Sequence, residues 1–183
     1  MIALYHRSAA GLSRLGDNLL PLLARVVFAG VLLVYYWNSG LTKLDGFGLS
    51  SGAYVQIFPK AMEAAGYNTA ELSWFHTLVV LGGTVAEFVL PLLIVIGLLT
   101  RVAALGMIGF VAVQSLTDLY GHGGIAHEGT LGAWFDRASD SLILDQRSLW
   151  VLLLLVLVFK GAGWLSVDRL LSGRLGDPAA ERR

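Results

Sequence analysis

The chain has 183 residues, of which 56% are hydrophobic and only 14% are Asp, Glu, Lys or Arg, against about 25% charged residues in an ordinary soluble domain. Formal net charge is zero and cysteine is absent. That argues against a nucleic-acid partner and excludes disulfide frameworks, thiolate catalysis and Cys-held iron–sulfur or haem groups. The apolar residues fall in four long blocks with almost no charge inside them. The class they define is all-α, an integral membrane bundle of four transmembrane helices embedded in the lipid bilayer.

Residues 1–19 read as an amphipathic segment, with Leu4, Leu12, Leu15 and Leu19 among Arg7, Arg14 and Asp17. The membrane domain follows at 20–170, with spans expected at 20–36, 74–99, 102–119 and 149–165. A hydrocarbon core of about 30 Å needs roughly 20 helical residues, so the third span should run on into its flanks and the second should tilt or bend. The first span is not a cleavable leader, because it runs without a small-residue cleavage site into Tyr35, Tyr36 and Trp37. These aromatics, with Trp74, Trp150 and Trp164, suit an interfacial belt. Between the first two spans, residues 54–65 mix apolar and charged side chains in a way that predicts a short interfacial helix. Residues 171–183 read as a polar tail.

With four spans the termini and the turn at Thr100 and Arg101 share one side, which collects Arg7, Arg14, Arg101, Arg169, Arg174, Arg182 and Arg183. The other side holds Lys43, Lys60, Arg137 and Arg147 together with most of the acidic residues. The positive-inside rule then places both termini in the cytoplasm and the long loops, roughly 38–73 and 120–148, in the periplasm, for a chain of the bacterial inner membrane.

A few polar residues stand out against this background. Arg25, Ala29, Leu32, Tyr36, Ser39 and Lys43 follow one another at alternating four- and three-residue spacing and so share one helix face. Either its cations snorkel to opposite interfaces, or the stripe faces the interior and lines a cleft. Glu87 lies near the middle of the second span, where an ionised carboxylate costs at least roughly 2.5–3.5 kcal/mol. It needs a partner, and Arg25 is the expected one, forming a structural ion pair that can also serve as proton relay or ligand anchor. Pro91 cannot donate to the Glu87 carbonyl, so a bend is expected there. Gly82, Gly83 and Ala86 let a helix or ligand approach closely. At the end of the third span Gln114, Thr117, Asp118, Gly121 and His122 share a face. The candidate ligand-binding set is therefore Arg25, Tyr36, Lys43, Glu87, Gln114 and Asp118. His122, His127 and Glu128 in a glycine-rich loop, with His76, are candidate ligands for a divalent metal, although the spacing matches no established metal motif and suits structural hydrogen bonding too. Asp136, Arg137, Asp140, Asp145 and Arg147 read as local salt bridges that seat the second loop on the membrane.

In this order the motifs resemble the DoxX family of small bacterial and archaeal membrane proteins. They are Arg25-x-x-Phe28-x-Gly30, Gly40-x-x-Lys43-Leu44, Gly66, Ala86-Glu87 and Gly97-Leu-Leu-Thr100-Arg101-Val-Ala-Ala, over about residues 22–120. Asp145-Gln-Arg147, Gly161-x-Gly163 and Leu165-Ser-Val-Asp168 are similar to the family's closing pattern. The resemblance implies a four-helix membrane bundle. It also implies kinship with a small subunit of a thiosulfate:quinone oxidoreductase and with accessory subunits of oxidative-stress or metal-related systems. Arg25, Lys43, Glu87 and Arg101 match recurring family positions, whereas the histidine loop has no counterpart in the pattern.

The reading that follows is a non-autonomous accessory subunit of a quinone-linked redox or oxidative-stress system. Glu87 would handle a proton, and Arg25 or Tyr36 would polarise a ring oxygen. The chain has no motif for a redox cofactor of its own, so electrons come from a protein partner or from the quinone. The alternatives are a scaffold subunit, working with a partner or as a homo-oligomer, and an accessory in periplasmic copper or zinc handling. Transport ranks last, because four spans without a repeat or a broken helix pair lack the features of secondary carriers.

Overall fold

A computed structural model describes residues 1–175, the side chains of Ala3, Leu4, Asn18, Arg174 and Leu175 excepted. Arg182, Arg183 and most of the expected polar tail lie outside the described residues, and the part of that tail inside them closes a helix, Val167–Leu175. Among the described residues four helices are long and apolar enough to cross a bilayer: Leu19–Thr42, Trp74–Ile96, Thr100–Gly121 and Leu142–Lys160. They are called spans one to four below.

Their bounds differ from the expected ones for local reasons. Span one continues past Tyr36 because nothing breaks the helix before Lys43, and Gly40 lies so close to span two that an added Cβ would meet the Phe88 ring at 2.7 Å. Span two stops at Ile96 because Gly97 turns left-handed, φ 72°. The Gly97 and Leu98 amides then bond back to the carbonyls of Ile94 and Leu93, the closing pattern that glycine makes accessible at a helix end. Span four is displaced toward its N-terminus. It starts at Leu142 and ends where Gly161, φ 77°, leaves the helix. The N-terminal segment is continuous with span one, since one helix, Ile2–Phe28, carries it straight in. Outside the core of the spans, Asp17 and Lys160 join across 2.5 Å on exposed side chains.

Three spans contain a widened, π-type turn: Ala29–Leu33, Thr117–Gly121 and Leu142–Arg147. Such turns shift the phase of a helix and recur at functional sites. The main core joins Phe28, Leu32 and Tyr36 of span one to Ile94, then to Ala103, Ala104, Met107 and Val111 of span three and to Leu154 and Leu157 of span four. Small residues on span three bring the backbones together, as in other membrane bundles.

Span one ends beside the middle of span two. Its last turn meets Phe88 and Glu87, so the remaining half of span two must pack on something else. That partner is the first loop. After a two-stranded hairpin, Leu44–Asp45 with Gly48–Leu49, the helices Ser51–Ile57 and Pro59–Ala64 bring Ala53, Tyr54 and Met62 onto Val80. The Tyr54 hydroxyl donates to Thr77 Oγ1 across 3.1 Å.

Candidate functional site

The stripe on span one is an interior face. Arg25 and Lys43 are 7% and 5% exposed, so neither snorkels. Their partners differ from the expected ones. Glu87 pairs with Lys43 and not with Arg25: Lys43 Nζ lies 2.9 Å from Glu87 Oε2 and 3.0 Å from Oε1. Ser39, one turn earlier on span one, completes the cluster. Its hydroxyl donates to Glu87 Oε1 at 2.9 Å and accepts from Lys43 Nζ at 2.8 Å, and its carbonyl lies 3.3 Å from the same Nζ. The physical reason is that span one ends beside the middle of span two, which sets Lys43 at the depth of Glu87. A residue that counting along the sequence puts at the interface is inside the bundle.

Arg25 serves the opposite end of the bundle. Its Nε and Nη2 donate to the carbonyls of Ile94, at 2.9 Å, and Val95, at 2.6 Å, in the last turn of span two. Its Nη1 reaches Ala162 at 3.0 Å and Leu165 at 2.5 Å, beyond span four. Carbonyls at a helix C-terminus have no partner in their own helix and sit at the negative end of its dipole, so a guanidinium suits them. In the same place Asp168 accepts from the Leu99 and Thr100 amides at 2.7 and 3.0 Å and thereby caps span three, while its own amide donates to the Gly97 carbonyl at 2.8 Å. No signal in the sequence links Asp168 to span three, since the two are far apart along the chain.

Between spans one, two and three, under the helix Ser51–Ile57, lies a cavity of about 420 Å³, within the range of roughly 300–1,000 Å³ typical of small-molecule sites. Ser39, Lys43 and Glu87 form one polar side, and Gln114, Thr117, Asp118 and His122 form another. Val79, Leu90, Phe110 and Val113 supply apolar wall. Of the six candidate ligand residues, Lys43, Glu87, Gln114 and Asp118 therefore line one cavity. Tyr36 stands behind it, fully buried, its hydroxyl 3.4 Å from Gln114 Oε1. The Gln114 amide donates in turn to the Tyr35 hydroxyl at 2.9 Å. Arg25 takes no part.

Arg147 has other partners than the neighbouring loop carboxylates expected of it. It does not bridge loop carboxylates. It reaches from the first turn of span four to Asp118 on span three at 2.5 Å and to Ser115 Oγ at 3.0 Å, and it is only 2% exposed. The available signal was position: Asp118 closes span three and Arg147 opens span four at the same end of the bundle. Both sit on widened turns.

The proposed metal ligands do not converge. His76 Nδ1 is 2.9 Å from Ser73 Oγ, its ring stacked edge-on to Phe58. His122 Nε2 donates to the Gln56 carbonyl at 2.9 Å. His127 and Glu128 are exposed. Among the described residues no three His, Asp or Glu side chains are grouped as a metal site needs.

Together these features define a four-span membrane bundle with a part-polar cavity beside a buried ion pair. The chain belongs to the DoxX family: the DoxX sequence model matches residues 20–117, which carry spans one and two, most of span three and the Lys43–Glu87 pair. His122, His127, Glu128 and Arg147 lie beyond the match. No curated protein and no solved structure matches the chain.

Proposed function

We propose that this chain is the membrane-embedded accessory subunit of a quinone-linked redox or oxidative-stress system, and that the cavity receives the quinone head group. The observation that carries the reading is the juxtaposition of apolar wall with the Ser39–Lys43–Glu87 cluster in one site. A quinone ring is flat and apolar and carries two acceptor oxygens. Phe110, Leu90 and Val113 suit the ring. Lys43 Nζ has three donors for four nearby acceptors, the weakest of them the Ser39 carbonyl at 3.3 Å, and a ligand oxygen can take that place. Glu87 is a carboxylate within the site and can pass a proton to or from the ligand. Electrons are left to a protein partner, because the chain has no cofactor motif of its own.

The test is gentle detergent extraction followed by mass spectrometry of co-purified lipids and proteins. Wild-type protein is expected to carry quinone, and Glu87→Gln to carry much less. Wild type without quinone sinks the reading. A tightly bound partner protein without quinone, together with indifference to Glu87→Gln, favours the scaffold reading instead.

The same proposal sets the end with Arg7, Arg101 and Arg169 in the cytoplasm of a bacterial inner membrane and the Phe47 hairpin outside. The native chain has no cysteine, which makes labelling clean. A membrane-impermeant maleimide added to intact cells should label Phe47→Cys, at the fully exposed hairpin tip, and spare Ser13→Cys until the cells are opened. The reverse pattern inverts the topology.

A further inference from the structure

Two glycines at the cavity have no packing reason to be glycine. Gly106 does have one, since an added Cβ would press on Leu90 at 3.2 Å, and one at Gly83 would touch Ile57 at 3.6 Å. At Gly82 and Gly109 an added Cβ meets nothing within 4 Å. Glycine inside a helix weakens it, so its use in open space calls for another account. Both residues line the cavity and both are accessible, on helix faces that also carry the exposed apolar side chains Leu78, Val85 and Leu105. They lie well inside spans two and three, where the outer surface faces hydrocarbon. The cavity therefore opens sideways into the bilayer over a floor without side chains.

At its loop end the cavity is bordered by the first loop. Gln56 and Ile57 of the helix Ser51–Ile57 line the cavity together with His122. Three hydrogen bonds hold that helix, two to Thr42 and one to His122. Ser50 Oγ donates to the Thr42 carbonyl at 3.1 Å, Gln56 Nε2 to Thr42 Oγ1 at 3.2 Å, and His122 to the Gln56 carbonyl at 2.9 Å.

We infer that the cavity is entered laterally from the membrane, through the slot at Gly82 and Gly109, by an amphiphile whose polar head rests against Ser39, Lys43 and Glu87 while its apolar chain stays in the slot. This inference rests on the quinone reading and specifies the ligand as a lipid-tailed quinone rather than a water-soluble one. The chain gains little from leaving one apolar medium for another. What the glycines provide is clearance, so that a head group can sit beside a buried ion pair without the tail being bent back into the protein.

The experiment uses the full chain in detergent micelles, with binding of a tail-less benzoquinone and of a decyl-tailed benzoquinone measured on wild type and on the double variant Gly82→Leu, Gly109→Leu. An added Cβ meets nothing within 4 Å at either position, so the new side chains start in open space, and the tail-less compound reads the head-group site at Ser39, Lys43 and Glu87 apart from the slot. The decyl-tailed compound is expected to bind the double variant at least about tenfold more weakly than wild type, a loss of about 1.4 kcal/mol or more. Equal binding of the tailed compound to both proteins overturns lateral entry and leaves the quinone reading standing. Weakened binding of both compounds to the variant also overturns it, because the damage is then to the head-group site. Failure of both compounds to bind wild type overturns the quinone reading and this inference with it.

Discussion

Glu87→Ala is expected to destabilise the bundle by about 3–5 kcal/mol, the cost of leaving one member of a buried ion pair without the other. Lys43 and Glu87 are 5% and 3% exposed. With the carboxylate gone, Lys43 Nζ keeps only Ser39 as a protein partner, and a nearly buried charge is left without its counter-charge. Removing both charges is a different change. Lys43→Met with Glu87→Leu replaces the pair by apolar groups of similar volume and should recover most of the lost stability, because the desolvation of two charges is removed with their attraction. Thermal unfolding in one detergent checks both statements. A single variant as stable as wild type, or a double variant no better than the single, contradicts them. The comparison also separates architecture from ligand binding: the double variant should be stable and yet carry no quinone.

How far this site could be read from the sequence depends on which distance mattered. Glu87 stood out because one charge in the middle of an apolar block is costly wherever its partner lies. Its partner was misread because the depth of Lys43 depends on where span one ends against span two, and hydropathy says nothing about that. The same holds for Arg25, whose length suggested a reach toward Glu87, although four carbonyls at the terminal end hold it instead. Ser39 lay on the identified stripe but carried no charge to mark it. Asp118 and Arg147 were each noticed, and their pairing follows only once spans three and four are antiparallel neighbours. Helix count and class came through because they rest on local composition. The start of span four did not, because a widened turn at Leu142–Arg147 carries polar residues into the helix. The histidine loop shows how little closeness along the chain says about closeness in the fold. Residues close together along the chain suggested a cluster, and each histidine instead meets a separate neighbour or solvent.

Arg25→Lys is expected to cost about 1.5–3 kcal/mol even though charge is kept. The guanidinium forks between two segments, the last turn of span two and the stretch after span four. An ammonium offers its donors from a single atom and can serve one side or the other. Three segments meet at this point, because Asp168 caps span three and bonds back to Gly97. Gly97→Ala should therefore undo the same junction from the other direction. A Cβ there would lie 2.6 Å from Ser166 Cβ and 2.8 Å from Arg25 Cζ, on a backbone already at φ 72°. The two variants should share a local signature. Hydrogen exchange should rise at the end of span two and in residues 161–166, while the helix Ser51–Ile57 and the surroundings of Glu87 stay protected. Arg25→Lys at wild-type stability, or a loss of protection spread evenly over the bundle, would show that Arg25 does not hold these segments together. The contrast with Glu87→Ala is then physical. One pair of charges lies beside a cavity and its loss is felt there, whereas Arg25 closes the end of the bundle away from the cavity, where its removal loosens the frame and leaves the site's own contacts in place.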